Sequence, residues 1–303
     1  MSDAFVFDLA GYISRRRSLM EEAIDRLLPR PDGPDDAPVF EAMRYSIKAG
    51  GKRLRPLLFL AGAEAVGGGI EPLVPFACAL ECIHTYSLIH DDLPAMDDDD
   101  LRRGRPTCHK AFGEAIAILA GDGLLTLAFE LMTRTSGPSA PPPETVLEAI
   151  QVLARAAGVS GMVGGQTADI LAEGKEITAG TLDLIHRKKT GALIAASVET
   201  GAMLGGGSRK EISSLGEYGT NLGLAFQIMD DILDVTGDPA LLGKKTGADA
   251  RRKKAAYPAL FGIEEAKRRA DDLLSRAGEA LSGFGPEGDP LRAIAQYVGK
   301  RDR

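Results

Sequence analysis

The chain of 303 residues carries 36 Lys and Arg against 43 Asp and Glu, a formal net charge of −7, and 44% of its residues are hydrophobic. This composition is too apolar for a disordered protein, and its net acidity argues against general nucleic-acid binding. Its three cysteines cannot all pair, its N-terminal segment lacks a secretory pattern, and every long apolar stretch carries charges. We therefore predict a cytoplasmic protein without a transmembrane segment.

The apolar residues recur at helical spacing along most of the chain. Leu119, Leu124, Leu127 and Leu131 fit one helical stripe, whereas alternating runs of β-branched residues are missing and aromatic residues make up 5%. This pattern predicts helices and argues against a sheet. We expect one all-α domain over residues 1–303. The predicted helices cover residues 5–28, 39–49, 54–67, 72–92, 110–135, 144–160, 181–204, 209–235, 260–281 and 290–300.

Two acidic groups lie on apolar helices. The segment after His90 reads DDLPAMDDDDLRRGR, so that Asp91 and Asp92 end an apolar helix, where free carboxylates are costly. In the stretch FQIMDDILDV, Asp230 and Asp234 are one helical turn apart and repel each other. Mg²⁺ binds few carboxylates and completes its shell with water and substrate phosphate. On chemistry alone, the pattern favours metal-assisted binding of a phosphate-bearing ligand over a solvated charge run.

Other site types fit the sequence less well. Glycosidases place one carboxylate on each side of a bond, and the calcium loop D-x-D-x-D-G is absent, as are a P-loop and a dinucleotide-binding motif. The segment Gly50–Pro56 sets three cations beside a glycine turn that is suited to phosphate. His84 is as consistent with core packing as with anion binding. Gln166 and Asp169 share a helix face and either line a cavity or bond to other helices.

At these motifs the chain resembles the trans-isoprenyl diphosphate synthases, also called polyprenyl synthetases. Within that family the pattern is most similar to the bacterial farnesyl diphosphate synthases. The resemblance covers about positions 40–260 in the family's order, with one departure at Ala256, where the family motif K-x-T-Y-P has Thr. The matching segments are Asp91–Asp97 with Asp100–Gly104, Asp230–Asp234, Gly50–Pro56, Lys189–Gly191, Phe226–Gln227, Gly164–Gln166 with Asp169, and Gly243–Lys244 with Lys254–Pro258.

The resemblance implies ten or more helices around a deep central cavity, a homodimer and three Mg²⁺ ions. The implied metal ligands are Asp91, Asp92, Asp97, Asp230 and Asp234. The residues implied for the allylic diphosphate are Arg102, Lys189, Thr190, Gln227, Lys244 and Lys254. Those implied for isopentenyl diphosphate are Lys52, Arg55, His84 and Arg103. The catalytic set is expected to be Asp91, Asp92, Asp97, Lys189, Asp230 and Lys244.

The implied reaction condenses isopentenyl diphosphate with dimethylallyl or geranyl diphosphate by ionisation, condensation and elimination. Tyr86 precedes Asp91 by five residues, roughly 7.5 Å along a helix axis. Short-chain members of the family carry an aromatic residue there, so we assign product length to Tyr86 with Ser87 and expect the C15 product. A C20 product is the alternative, and Tyr86 as core packing is the competing interpretation. We also expect Pro94 to distort the helix end and return Asp97 to the site.

Two other kinds of protein share some of these features. Class I terpene cyclases resemble the chain at the first motif, but their second motif is N-D-x-x-S-x-x-x-E. Non-catalytic partner subunits of synthases tend to lack the aspartate pairs. This sequence has both aspartate pairs and the isopentenyl-binding cations, so it favours the synthase.

Overall fold

A computed structural model describes residues 7–135, 137, 139–236 and 256–300. These residues are largely helical, and the predicted all-α class is confirmed. In chain order the elements are α1 (Leu9–Leu27), α2 (Ala37–Ile47), α3 (Leu54–Ala65), α4 (Val74–Asp91), β1 (Leu101–Arg102), β2 (Arg105–Pro106), α5 (Cys108–Phe112), α6 (Glu114–Met132), α7 (Pro143–Ala157), α8 (Met162–Ala172), α9 (Ala179–His186), a π-helical turn (Arg187–Gly191), α10 (Ala192–Leu204), α11 (Arg209–Thr236), α12 (Tyr257–Phe261), α13 (Ile263–Ala280) and α14 (Asp289–Gly299).

The chain divides into two compact units. We call them the first-motif unit (Arg17–Leu57 and Glu71–Ala140) and the second-motif unit (Met1–Arg16, Leu58–Ile70 and Pro141–Arg303). In the first, α4 packs on α6, and both α2 and α5 contact α6. In the second, α11 packs on α10 and α13. The assignment of residues 1–303 to one domain stays a prediction.

The predicted helices and the observed ones differ at three places. The predicted helix 110–135 is two helices, α5 and α6, because the chain turns at Gly113 with a φ of +85°. The predicted helix 181–204 is interrupted by the π-helical turn, and α8 was not predicted at all. A short antiparallel hairpin pairs Leu101 with Pro106 in a region where no strand was expected.

Helix α4 is apolar around most of its surface because it is a core helix. Its buried residues include the four consecutive positions Phe76–Ala79, which are about 100° apart and so cover all sides of the helix. The sequence predicts such a central position for residues 72–92. Helix α4 therefore carries the first aspartate motif at the end of a rigid, well-packed element.

Among the described residues, three helical segments are long and apolar enough to cross a membrane: Glu71–Asp91, Glu114–Met132 and Pro143–Ala172. The most apolar windows of these segments are 72%, 44% and 33% buried inside the protein. Burial among other helices accounts for the apolar character of the first segment. The absence of a transmembrane segment stays a prediction from the sequence.

Candidate active site

The first aspartate motif is a turn at the end of α4. The helix ends at Asp91, three residues before Pro94, and the Asp97 N–H donates to the Asp91 carbonyl oxygen at 2.8 Å. The turn therefore returns Asp97 to Asp91, where the sequence had suggested a distorted helix. Since a proline disfavours helical conformation in the residue before it, ending the helix costs less than bending it. Asp91 and Asp97 are both half-buried.

The second aspartate of this motif points inward. Asp92 is 2% exposed and accepts hydrogen bonds from Arg102, from Nε at 2.8 and 2.9 Å and from Nη2 at 2.5 Å. Burial raises the pKa of Asp92, while the hydrogen bonds and charge of Arg102 oppose that rise. The hairpin supplies the arginine, because Arg102 lies on β1. Arg102, predicted to bind the allylic diphosphate, is thus the hydrogen-bond partner of the buried Asp92 carboxyl group.

The cations predicted for isopentenyl diphosphate lie near one another in the first-motif unit. Arg103 donates from Nη1 to the carbonyl oxygen of Gly50. A Cβ on Gly51 would lie 2.6 Å from the Arg103 guanidinium, so the second glycine of the motif lets the arginine stack on the loop. Lys52 in the same loop is exposed. The structure therefore brings Arg103 to the loop of Lys52 and Arg55.

His84 and Arg55 provide polar atoms without protein partners. Among the described residues, His84 Nδ1 and Arg55 Nε are buried and have no hydrogen-bond partner. Burial, followed by the charges of Arg55 and Arg103, keeps the pKa of His84 well below its usual range, and burial lowers the pKa of Arg55 to about 10. Mutually repelling cations and unpaired donors of this kind are suited to an anionic ligand.

The predicted product-length residues lie one helical turn before the motif. Tyr86 is 7% exposed, and its ring meets the ring of His90 edge-on at a centroid distance of 5.7 Å. Burial raises the pKa of Tyr86, and the charge of Asp91 adds to that rise. Ser87 Oγ donates to the His84 carbonyl oxygen at 2.8 Å. Tyr86 is therefore a fixed, un-ionised ring close in sequence to the metal-ligand candidates.

In the second-motif unit the second aspartate also points inward. Asp230 is half-buried, whereas Asp231 is 3% exposed and bonds to His186 Nε2 at 2.9 Å. Asp231 also accepts from Gln227 Nε2 at 3.1 Å and from the Tyr257 N–H at 3.0 Å. Consecutive helical residues point about 100° apart, so one carboxylate faces outward while the other is held. Asp231 has no role among the predicted site residues, although its place in the motif is visible in the sequence.

Two residues predicted for the allylic diphosphate lie on the π-helical turn. Lys189 Nζ donates to Asp169 at 2.7 Å, and Thr190 Oγ1 donates to Gln227 Oε1 at 2.8 Å. Gly165 allows α8 to approach the turn, since a Cβ there would lie 2.2 Å from the Lys189 backbone nitrogen. Short π-helical segments are frequent at functional sites because they re-aim side chains.

The remaining predictions concern four positions. Both polar side-chain atoms of Gln166 are buried without a hydrogen-bond partner among the described residues, so they are open to a ligand. Lys244 and Lys254 lie outside the described residues. Ala256 precedes α12 and is 6% exposed.

The carboxylates of the two aspartate motifs fit Mg²⁺ better than they fit a metal such as zinc, which takes most of its ligands from the protein. Asp91, Asp97 and Asp230 are half-buried oxygen donors. Within the described ranges no three His, Cys, Asp or Glu residues converge as a complete metal cluster. Zinc sites need three or four protein ligands, whereas Mg²⁺ uses one or two carboxylates and takes its other ligands from water and substrate phosphate. The donor set therefore suits a metal that arrives with a diphosphate.

Comparison with known proteins identifies the family. The polyprenyl synthetase profile matches residues 36–282. The chain is 47% identical to a farnesyl diphosphate synthase of Geobacillus stearothermophilus (96% of this chain, 97% of the relative) and 44% identical to a geranylgeranyl diphosphate synthase of Cyanophora paradoxa (98% and 97%). The crystal structure of an FPP/GFPP synthase from Zymomonas mobilis superposes with a TM-score of 0.86 at 40% identity, covering 96% of this chain and 99% of that one. The chain therefore belongs to the polyprenyl synthetase family and is a trans-prenyl diphosphate synthase.

Proposed function

We propose that this cytoplasmic enzyme is a Mg²⁺-dependent farnesyl diphosphate synthase. It condenses isopentenyl diphosphate with dimethylallyl diphosphate and then with geranyl diphosphate. The observation that supports this best is the pairing in both motifs of a half-buried first aspartate, Asp91 or Asp230, with a buried second one, Asp92 or Asp231. Each motif thus presents carboxylate oxygen that is held in place and remains accessible.

The binding residues divide the two substrates between two cation sets. Lys52, Arg55 and Arg103 bind the diphosphate of isopentenyl diphosphate, with His84 donating from its uncharged ring. The allylic diphosphate is bound by Arg102, Lys189, Thr190, Gln227, Lys244 and Lys254. When a diphosphate enters, Lys189 exchanges its bond to Asp169 for a phosphate oxygen. The opposing carboxylate prevents the lysine from standing as an unpaired charge before that exchange.

The chemistry follows from ionisation of the allylic C–O bond. Three Mg²⁺ ions held by Asp91, Asp92, Asp97, Asp230 and Asp234 would stabilise negative charge on the diphosphate. Lys189 neutralises part of the same charge as it develops. Isopentenyl diphosphate, oriented by its own cations, attacks the carbocation through its double bond, and a proton then leaves to the departing diphosphate. No protein general base is assigned, and apolar residues of α4 exclude water that would quench the cation.

Product length is assigned to Tyr86 with Ser87. The buried ring of Tyr86 lies about one helical turn from Asp91, and its contact with His90 prevents it from swinging aside. A ring at this depth stops elongation at C15. The geranylgeranyl diphosphate synthase among the relatives makes a C20 product the alternative.

We also propose that the enzyme works as a homodimer. Ile118, Leu119 and Phe129 on α6 are 44%, 53% and 41% exposed, which is unusual for large apolar side chains on one helix. Burial of this surface by a second copy would remove it from water. Light scattering from the purified protein should give twice the mass of one chain, and a monomer would contradict the dimer.

Product identification tests the proposed function directly. Purified protein is incubated with Mg²⁺, isopentenyl diphosphate and dimethylallyl diphosphate, and the dephosphorylated products are separated by chain length. We expect farnesol as the main product. Geranylgeraniol as the main product would overturn the C15 assignment but leave the synthase intact. A cyclic hydrocarbon, or no elongation, would contradict the condensation itself.

A further inference from the structure

The cation loop, Gly50–Arg55, has an unusual backbone. Gly50, Gly51 and Arg53 have positive φ angles of +84°, +126° and +50°. The left-handed region is strained for a residue with a Cβ, so other contacts must hold Arg53 there. The conformation of this loop decides where Lys52 and Arg55 present their charges.

Arg53 makes the contacts that hold the loop. Its side chain is fully buried, in contrast to the exposed Lys52 on its N-terminal side. Arg53 Nη1 donates to Glu81 Oε1 at 2.7 Å, and Nη2 donates to the Ile47 carbonyl oxygen at 2.7 Å. Nε and Nη2 donate to the two carboxylate oxygens of Glu21 at 2.9 and 3.2 Å. These bonds tie the loop to α1, α2 and α4, and they occupy most of the donors that a guanidinium offers.

Glu81 is a counter-charge for more than Arg53. It is 2% exposed, and its Oε2 has no hydrogen-bond partner among the described residues. Its charge also favours the ionised forms of Arg55 and Arg103. A buried carboxylate with a spare oxygen beside several arginines offsets their mutual repulsion, which otherwise would push the loop apart in the absence of an anion.

We propose that Arg53 and Glu81 are a positioning pair that holds the cation loop so that Lys52 and Arg55 meet the diphosphate of isopentenyl diphosphate. Neither member of the pair touches substrate. This inference rests on the proposed function, because it assigns the loop to that substrate. It separates the arginines of the Gly50–Pro56 motif into one that binds and one that positions.

Loss of the pair should selectively weaken the binding of one substrate, isopentenyl diphosphate. Replacing both members with leucine removes the pair without leaving a lone buried charge, and such replacements are often neutral for stability. The loop then loses its anchor. We expect the KM for isopentenyl diphosphate to rise by about 10- to 100-fold, comparable to the loss of a supporting contact around a metal ligand. The KM for the allylic substrate should stay within twofold of the wild-type value.

A matched variant controls for the general loss of an ion pair. Arg16 and Glu64 form a partly buried pair in the second-motif unit, with side chains 26% and 20% exposed. The double variant Arg16→Leu/Glu64→Leu should change the melting temperature without changing either KM. Arg53→Lys keeps the charge but cannot reproduce the forked bonds to Glu21 and Glu81. It should raise the KM for isopentenyl diphosphate several-fold.

The experiment measures both KM values and the melting temperature for the wild type, Arg53→Leu/Glu81→Leu, Arg53→Lys and the control pair. A selective rise for isopentenyl diphosphate in either Arg53 variant supports the positioning role. An unchanged value in a folded double variant, or an equal rise for both substrates, overturns it. If the double variant does not fold, Arg53→Lys decides by the same criteria. Absence of any condensation by the wild type would instead refute the proposed function.

Discussion

The two aspartate motifs share a plan and differ in how the second carboxylate is held. In the first-motif unit Asp92 is held by one residue, the charged Arg102. In the second-motif unit Asp231 is held by three groups, the His186 ring, the Gln227 side-chain amide and the Tyr257 backbone N–H. Both arrangements leave the preceding aspartate half-buried. One buried carboxylate in each motif therefore fixes the direction of its exposed neighbour.

The difference between the two anchors has a chemical consequence. The partner of Asp92 is Arg102, which is itself predicted to bind the allylic diphosphate. The first motif therefore links the position of its metal ligands to a substrate-binding arginine. The partners of Asp231 include the residue before the π-helical turn and the first residue of α12. The second motif thus joins α11, which carries Gln227, to the helix before the π-helical turn and to α12. Loss of Asp231 should disturb more of its unit than loss of Asp92.

The largest effect is expected at the half-buried first aspartates, where the two motifs should behave alike. Asp91→Ala and Asp230→Ala should each lower turnover by about 10²–10³-fold, because each removes a Mg²⁺ ligand from a site of developing charge. Turnover at saturating substrate measures this, with circular dichroism to show an intact helical fold. A chelator should abolish wild-type activity, and added Mg²⁺ should restore it. Near-normal turnover in either variant would contradict the role of that motif.

Substitution of the buried aspartates should have a smaller effect, and this effect should differ between Asp231 and Asp92. Asp231→Asn places a side-chain NH2 group where the Asp231 carboxylate oxygen accepts from the Tyr257 N–H. The Tyr257 N–H then loses its hydrogen-bond partner. We expect the Mg²⁺ concentration for half-maximal activity to rise by roughly 10–100-fold, as for other residues that orient metal ligands. Asp92→Asn should show a smaller rise, because Arg102 can still donate to an amide oxygen. Equal rises would remove the distinction between the two anchors.

Helical periodicity predicts most of the fold but not the interruptions. The stripes of leucine predict α6, whereas the glycine-rich start of α8 weakens the helical pattern that GGQTADILA contains. The π-helical turn depends on the approach of Gly165 to Lys189, a tertiary contact that spacing does not reveal. The Asp91–Asp97 turn was foreseen as a return of Asp97, but through a bent helix.

The residues of the candidate site are visible in sequence, and their directions are not. Asp91 and Asp92 are identical side chains at adjacent positions, and only the position of Arg102 makes one of them buried. In the same way Arg53 and Arg55 lie in one motif, and only Glu81 and Glu21 distinguish them. Charged residues are buried where a partner exists, and those partners lie far along the chain.

Control of product length is a function that we assign to the first-motif unit alone, and a substitution of Tyr86 tests it. Tyr86→Ala should shift the main product from C15 to C20 or longer, because removal of the ring leaves a void for another isoprene unit. Ser87→Ala, which loses only the bond to the His84 carbonyl oxygen, is a matched control and should shift the products less. Chromatography of the dephosphorylated products measures both. Continued C15 synthesis by Tyr86→Ala would show that another residue sets the length.

The smallest effect concerns the stability of the first-motif unit at acid pH. The pKa of His84 in the folded protein lies below its usual range, so the unfolded chain takes up a proton first as the pH falls. Above pH ~6.5 the neutral ring makes its full contribution to the free energy of unfolding. Below that pH the contribution falls, by up to about 1.4 kcal/mol per pH unit. Denaturant unfolding at pH 5.0–7.5 should show a shallower pH dependence for His84→Gln. His90→Gln, at a side chain that is 30% exposed, is the control and should retain the wild-type slope.

The central claim is that separate sets of cations bind isopentenyl diphosphate and the allylic diphosphate. Calorimetric titration tests it without turnover, using isopentenyl diphosphate and an unreactive thio analogue of geranyl diphosphate, the latter with Mg²⁺. Arg103→Ala should raise the dissociation constant of isopentenyl diphosphate by about 10–100-fold and that of the analogue by less than twofold. The reason is that a charge-assisted hydrogen bond contributes about 1.5–3 kcal/mol to binding. Lys189→Ala should show the reverse pattern. Variants that each weaken the binding of both ligands equally would contradict the division of the substrates between the two cation sets.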